Sequence, residues 1–244
     1  MSAAVVLVHG LGGAAAEWSA VADALRAEGR EVRVPELPGH GARRAEAFEL
    51  ETALAAVRAA CREAREAGGS RGAGPLLAGR ALGGHLAIQV AATTPEDAPR
   101  GVLAAGIGTE TLGWLVDSYR VAGAVAGLLP DRGEAVNRLA AETFSAPTGG
   151  SAQAAEVVAG LRPQALDAVH ALDTRAALRR IEVPVVVANG AKDRFRLQEG
   201  ALRRAIRRGR LERIRGAALG DAIAGPEALL PLLPHLRSLL GEPA

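Results

Sequence analysis

Chemistry in this chain would centre on one stretch. Leu76-Leu77-Ala78-Gly79-Arg80-Ala81-Leu82-Gly83-Gly84-His85-Leu86-Ala87 runs from an apolar segment of strand length, through a glycine-rich turn, into an Ala/Leu-rich helical pattern. That is the layout of a nucleophile elbow, G-x-S-x-G, in which a tight strand-to-helix turn lifts a serine hydroxyl into a cleft. Here the motif reads Gly79-Arg80-Ala81-Leu82-Gly83, with alanine in the serine position. A methyl group cannot attack a carbonyl. Backbone donors need no particular side chain, so the N–H groups of Leu82 and of Leu11, in the loop His9-Gly10-Leu11-Gly12-Gly13, are candidates for an oxyanion hole. Asp193 follows the strand-like stretch Val186-Val187-Ala188-Asn189-Gly190. A carboxylate in a cleft needs a charge, hydrogen bonds or water. Arg80 and Arg194 are its candidate partners, and such a pair would suit an anionic ligand, proton transfer or a plain salt bridge.

The elements that must position these residues alternate. Apolar, β-branched segments predict strands over 3–9, 31–37, 75–79, 101–107, 183–188 and 211–214. Helical spacing predicts helices over 17–28, 50–67, 82–92, 198–208 and 226–240. Strand–helix alternation implies a parallel sheet with helices on both faces. Between 110 and 180 the alternation stops. Helical patterns over 112–129, 133–144, 152–161 and 164–179 are punctuated by Pro130, Pro147-Thr148-Gly149-Gly150 and Pro163. This block reads as an insertion over the C-terminal ends of the strands, where ligands bind in open α/β sheets. The resulting division is a core of 1–108 and 181–244 with a helical cap of 109–180.

Composition narrows the classes. A chain of 244 residues with 49% hydrophobic residues can bury a full-sized core. The formal net charge of +2 demands no nucleic acid. Arginines 203, 204, 207, 208, 210, 213 and 215 cluster, and read as a solvated face rather than an anion site. Cys61 is the only cysteine, so no intrachain disulfide can form. No run approaches the roughly 18 apolar residues of a membrane span, and no leader pattern precedes the first strand. The expectation is a cytoplasmic protein with no membrane contact. His9 reads as a brace for the glycine loop and His85 as a packed helix residue. His170 and His235 read as surface residues. No pair has metal-ligand spacing, so neither metal nor cofactor is expected. The scarce aromatics Trp18, Trp114, Tyr119, Phe144 and Phe195 would line a pocket or pack the cap.

In this order the motifs resemble the α/β-hydrolase fold with a helical cap. Four carry the resemblance: Val8-His9-Gly10-Leu11-Gly12, Leu37-Pro38-Gly39-His40-Gly41, the elbow from Gly79 to Gly84, and Val186-Val187-Ala188-Asn189-Gly190-Ala191-Lys192-Asp193. The family's triad runs Ser, acid, His. The resemblance places the serine at Ala81 and the acid at Asp193. It places the histidine at Leu219, in Gly216-Ala217-Ala218-Leu219 ahead of Pro226-Glu227. A single serine-to-alanine change would account for Ala81 but not for Leu219, and two losses point to natural divergence. Removing triad members typically costs on the order of 10⁴–10⁶ in rate.

The resemblance therefore implies a fold without its usual chemistry. Two function classes remain, and the first is the preferred expectation because the cap and both glycine loops are kept. One is a non-hydrolytic enzyme of lyase, isomerase or cyclase type, acting on a small metabolite in the old cleft with Asp193 and the oxyanion N–H groups. The other is an inactive pseudo-hydrolase that binds a small molecule or a partner, such as a second copy of itself or an active hydrolase relative. An open, polar pocket around Asp193 would favour the first; a site filled by Leu219 would favour the second.

Overall fold

The computed structural model describes residues 3–67, 74–93, 98–108, 171–193, 196–220 and 225–242. Six strands form a single parallel sheet in these residues: β1 (Val5–Val8), β2 (Val32–Arg33), β3 (Leu76–Arg80), β4 (Gly101–Ala105), β5 (Val185–Gly190) and β6 (Gly209–Ile214), in the order β2-β1-β3-β4-β5-β6. The chain runs from β1 outward to β2, then returns past β1 to β3 and proceeds the other way. That reversal places a topological switch point between β1 and β3, where the loops leaving the two strands diverge and open a crevice.

The strands are apolar on both faces because both faces are covered. Side chains alternate along a strand, so Val6, Val8, Leu77, Val102, Ala104, Val185 and Val187 join one buried cluster. Val5, Leu7, Leu76, Ala78, Leu103, Ala105, Val186 and Ala188 join the other. The first face is covered by α2 (Leu50–Ala67), α3 (Leu82–Thr93), α4 (Thr174–Leu178) and α5 (Glu199–Ala205). The second is covered by α1 (Ser19–Ala27), a 3-10 segment at Pro226–Leu232 and α6 (Leu233–Leu240). In α2 the buried positions Ala53, Leu54, Val57, Ala60, Cys61 and Ala64 form one stripe at helical spacing. Cys61 is a buried member of that stripe.

Several predicted bounds shift for local reasons. The strand expected over 31–37 pairs only at Val32–Arg33, since Pro35 has no N–H to donate to a ladder. The expected helix 198–208 ends at Ala205, where Ile206 turns extended. The final helix starts as a 3-10 segment containing Pro231 and becomes α-helical from Leu233, with Pro234 in its first turn. The cap helices predicted over 112–129, 133–144 and 152–161 lie outside the described residues. Of the predicted helix 164–179, the described part holds α4, whose N-cap Asp173 accepts the Ala176 N–H at 2.9 Å. No helix among the described residues is long and apolar enough to cross a membrane.

Candidate functional site

The elbow is built by backbone geometry. Ala81 has φ +47, the only non-glycine residue with positive φ among the described residues. This left-handed conformation costs an L-residue about 1–2 kcal/mol and must be imposed by its surroundings. The Ala81 N–H donates to Ala105 O at 2.8 Å, extending the β3–β4 ladder into the turn, while Ala81 O accepts the Gly84 and His85 N–H groups that start α3. Gly83 permits the helix start to lie on β1: a Cβ there would meet Val8 O at 2.3 Å and His9 O at 2.5 Å. A Cβ on Gly79 would meet Gly83 O at 2.1 Å. No bulkier residue fits either position without moving backbone.

The loop leaving β1 lies against the elbow. A Cβ on Gly10 would stand 3.4 Å from the Ala81 Cβ. The Gly13 N–H donates to Gly10 O at 3.1 Å, and Gly12 has φ +70. That is the form of a type II turn with Leu11 at its second position. The N–H groups of Leu11 and Leu82 donate to no described residue. The Leu82 N–H belongs to the first turn of α3, where helix geometry leaves donors unpaired and the helix dipole favours negative charge.

His9 braces this loop from beneath. It is fully buried; its Nδ1 lies 2.9 Å from Gly10 O, and its Nε2 accepts the Leu37 N–H at 3.1 Å. These bonds require a neutral ring with its proton on Nδ1. Burial lowers its pKa, outweighing Gly10 O, Glu17 and Glu36, which favour the charged form. Glu36 Oε2, 3.8 Å from Nε2, therefore faces a neutral ring rather than an ion-pair partner. His40, in the turn after β2, packs its ring 5.1 Å from that of His9.

Asp193 is buried at the end of the loop that follows β5. Its Oδ2 accepts the Gly190 N–H at 2.7 Å, and its Oδ1 accepts the N–H groups of Leu219 at 2.5 Å and Gly220 at 3.0 Å. Three backbone donors thus solvate the carboxylate in place of water. Leu219 is itself fully buried and belongs to the same apolar cluster as Trp18, Ala188 and Ala217. Its loop fits closely against β4, since a Cβ on Gly106 would meet Leu219 C at 2.4 Å.

Arg80, expected beside Asp193, reaches the other way. Its Nη2 donates to Glu17 Oε1 at 2.5 Å, its Nε to Glu17 Oε2 at 3.2 Å, and its Nη1 to Leu219 O at 3.2 Å. Glu17 Oε2 also accepts the Gly10 N–H at 3.0 Å. Burial pushes the Glu17 carboxyl up, but the Arg80 guanidinium and the Gly10 N–H more than offset this and hold it below its ordinary value. Sequence reasoning missed Glu17. The only signal was an arginine at the end of an apolar strand, which demands an anion without saying which.

Leu11, Leu82, His9, Arg80, Ala81, Asp193 and Leu219 therefore lie at or just beyond the C-terminal ends of β1, β3, β5 and β6. Arg194 and Phe195 lie outside the described residues, as do Trp114, Tyr119, Phe144 and His170. Trp18 is a core residue of the α1 side. His85 Nδ1 lies 2.6 Å from Thr174 Oγ1, and burial pulls its pKa down to about 4. His235 pairs with Glu212 at 3.0 Å. Asn189, in β5, accepts the Ile107 N–H at 2.9 Å and donates to Glu199 at 3.0 Å, fixing α5 over the sheet. Among the described residues no three His, Cys, Asp or Glu side chains are grouped to hold a metal ion.

The comparisons agree with this architecture. Solved structures similar to the chain include a thermophilic esterase from Thermogutta terrifontis, at 18% identity and TM-score 0.69, covering 99% of this chain and 90% of that one. A bromoperoxidase from Bacillus anthracis matches at 19% identity and TM-score 0.66, covering 99% and 93%. NosK from Streptomyces actuosus matches at 22% identity and TM-score 0.61, covering 98% and 93%. At these identities the likeness concerns the fold. No curated protein matches the chain. A family model described as the alpha/beta hydrolase family matches residues 5–230, nearly the whole length, and the chain belongs to that family.

Proposed function

We propose that this chain is a pseudo-hydrolase: its triad is degenerate, and its cleft binds a small carbonyl- or carboxylate-bearing molecule without hydrolysing it. The Leu219 peptide carries the reading. Its N–H is held by Asp193, its C=O by Arg80, and its side chain is wholly buried. The segment where the family resemblance puts a base therefore offers none, and Ala81 offers no nucleophile. The two N–H groups of Leu11 and Leu82 suit an oxygen with partial or full negative charge. A non-hydrolytic enzyme of lyase, isomerase or cyclase type, with Asp193 as acid or base, is the second reading. It draws on the same donors, but both carboxylate oxygens of Asp193 are already engaged by the backbone N–H groups of Gly190, Leu219 and Gly220.

The test removes one backbone donor, and Leu11→Ala, which trims the same partly buried side chain but keeps the N–H, is its control. Position 11 is the second residue of its turn, where proline is favoured, so Leu11→Pro deletes the N–H while keeping the turn. Metabolites retained by the purified protein are identified by mass spectrometry for the natural chain and for Leu11→Pro. The proposal expects a carbonyl or carboxylate compound recovered unchanged from the first and lost from the second. Equal recovery from both would remove the Leu11 N–H from the site, and recovery of a converted product would favour the enzyme.

A further inference from the structure

We propose that Arg80 and Glu17 are positioning residues of the cleft, and that their ion pair fixes the Leu11 donor loop and the 215–220 loop against the elbow that lies between them. The inference rests on the reading of Leu11 and Leu82 as ligand donors. Neither residue is placed to touch a ligand: the side chains are only 6% and 11% exposed. Besides pairing with each other, they hold backbone groups. Glu17 takes the Gly10 N–H, one residue before the Leu11 donor. Arg80 gives Nη1 to Leu219 O, while Asp193 holds the Leu219 N–H from the other side. The guanidinium also lies close against the glycine loop, since a Cβ on Gly10 would come within 2.6 Å of Arg80 Nη2. A Cβ on Gly13 would collide with Glu17 Oε1 at 2.2 Å, so both ends of the turn close on the pair.

Stability alone is a weak reason for this arrangement. Two charges taken out of water regain little that a well-packed apolar pair of similar volume would not supply. What an apolar pair lacks is direction. A planar guanidinium hydrogen-bonds a carboxylate side-on and still has a donor left for a third group. Here that third group is the Leu219 peptide, so three chain segments are referenced to one rigid fork. Lysine would keep the charge and lose the fork.

Hydrogen exchange read by mass spectrometry tests this on the natural chain, Glu17→Gln, Arg80→Lys and the apolar pair Glu17→Leu/Arg80→Met. The last variant removes both charges of the pair together, so it remains informative if a single substitution fails to fold. The expected result is exchange at least tenfold faster in segments 9–14 and 215–220, with α2 and β4 unchanged. Unchanged exchange in those two segments overturns the proposal. So does acceleration of equal size throughout, which a purely structural role would give. A second arm uses the Ala81→Ser/Leu219→His background with 4-nitrophenyl acetate. Adding Glu17→Gln should lower kcat at least tenfold and leave KM within twofold; a change confined to KM overturns the positioning role. The exchange arm needs no ligand and no turnover. It therefore stands whether or not Leu11→Pro affects retention, and the two readings fail separately.

Discussion

Asp193 Oδ1 lies 2.5 Å from the Leu219 amide nitrogen. The acid at the end of β5 is thus joined to the very residue that stands where the family resemblance places an imidazole, through backbone rather than side chain. With Gly220 and Gly190 it completes a set of three N–H donors. Hydrogen bonds to a charged group are worth about 1.5–3 kcal/mol each, and an unmet buried donor costs a similar amount. Asp193→Asn keeps the shape but turns an NH2 toward one of these donors. Its expected effect is a loss of about 2 kcal/mol in urea unfolding, with the β4–β5 core intact by circular dichroism. Unaltered stability together with lost ligand retention would make Asp193 a working group rather than a loop anchor.

Chemical reactivity gives a second expectation. The natural chain should take no fluorophosphonate label and show only background turnover of nitrophenyl esters. Ala81→Ser alone supplies an unactivated hydroxyl, and Leu219→His alone a base with nothing to activate. Triad members act as a unit, so labelling at residue 81 should appear in the double variant only. Stoichiometric labelling of the natural chain at any serine would reveal a displaced nucleophile and sink the pseudo-hydrolase reading.

Close packing at the elbow makes a third. A Cβ at position 83 would meet the carbonyl oxygens of Val8 and His9 within 2.5 Å. These are backbone atoms of a buried strand end and cannot swing aside. Gly83→Ala should therefore cost about 3 kcal/mol, at the upper end of overpacking effects. Gly29→Ala, where a Cβ meets nothing within 4 Å, serves as a contrast. Its cost should reflect only the positive φ, and so be smaller by chemical denaturation.

Acid should destabilise the fold through groups of two kinds. His85 is held neutral, its pKa brought from 6.5 to about 4 by burial. Between those values the unfolded chain binds a proton that the folded chain does not, so stability falls as pH falls through this window, by up to about 3 kcal/mol. The buried, lowered His9 acts in the same direction. Glu17 is a depressed carboxyl, so its contribution is present above its unfolded value near 4.5 and is lost as pH falls through its folded value. Urea midpoints measured from pH 7 to pH 4 should decline, and His85→Gln, which can still bond Thr174, should flatten the part between 6.5 and 4.

Much of the fold was legible because its signals are local. Helical spacing stopped by Gly68-Gly69 set the bounds of α2, alternation of strand and helix implied the parallel sheet, and glycines 79, 83 and 84 marked the elbow. The family's site positions follow from the same motifs, since each sits at a fixed offset from a strand end. Partners do not. Glu17 and Arg80 are 63 residues apart in the chain, and their pairing depends on β1 and β3 being neighbours with a helix start folded over them. Asp193 was expected to need a charge, hydrogen bonds or water; that three amides supply hydrogen bonds was not legible, because backbone donors at a loop closure leave no mark in a sequence. Side-chain type and short-range spacing are properties of the chain alone. Which buried charge meets which peptide is decided only when loops from distant strands converge at the C-terminal ends of the sheet.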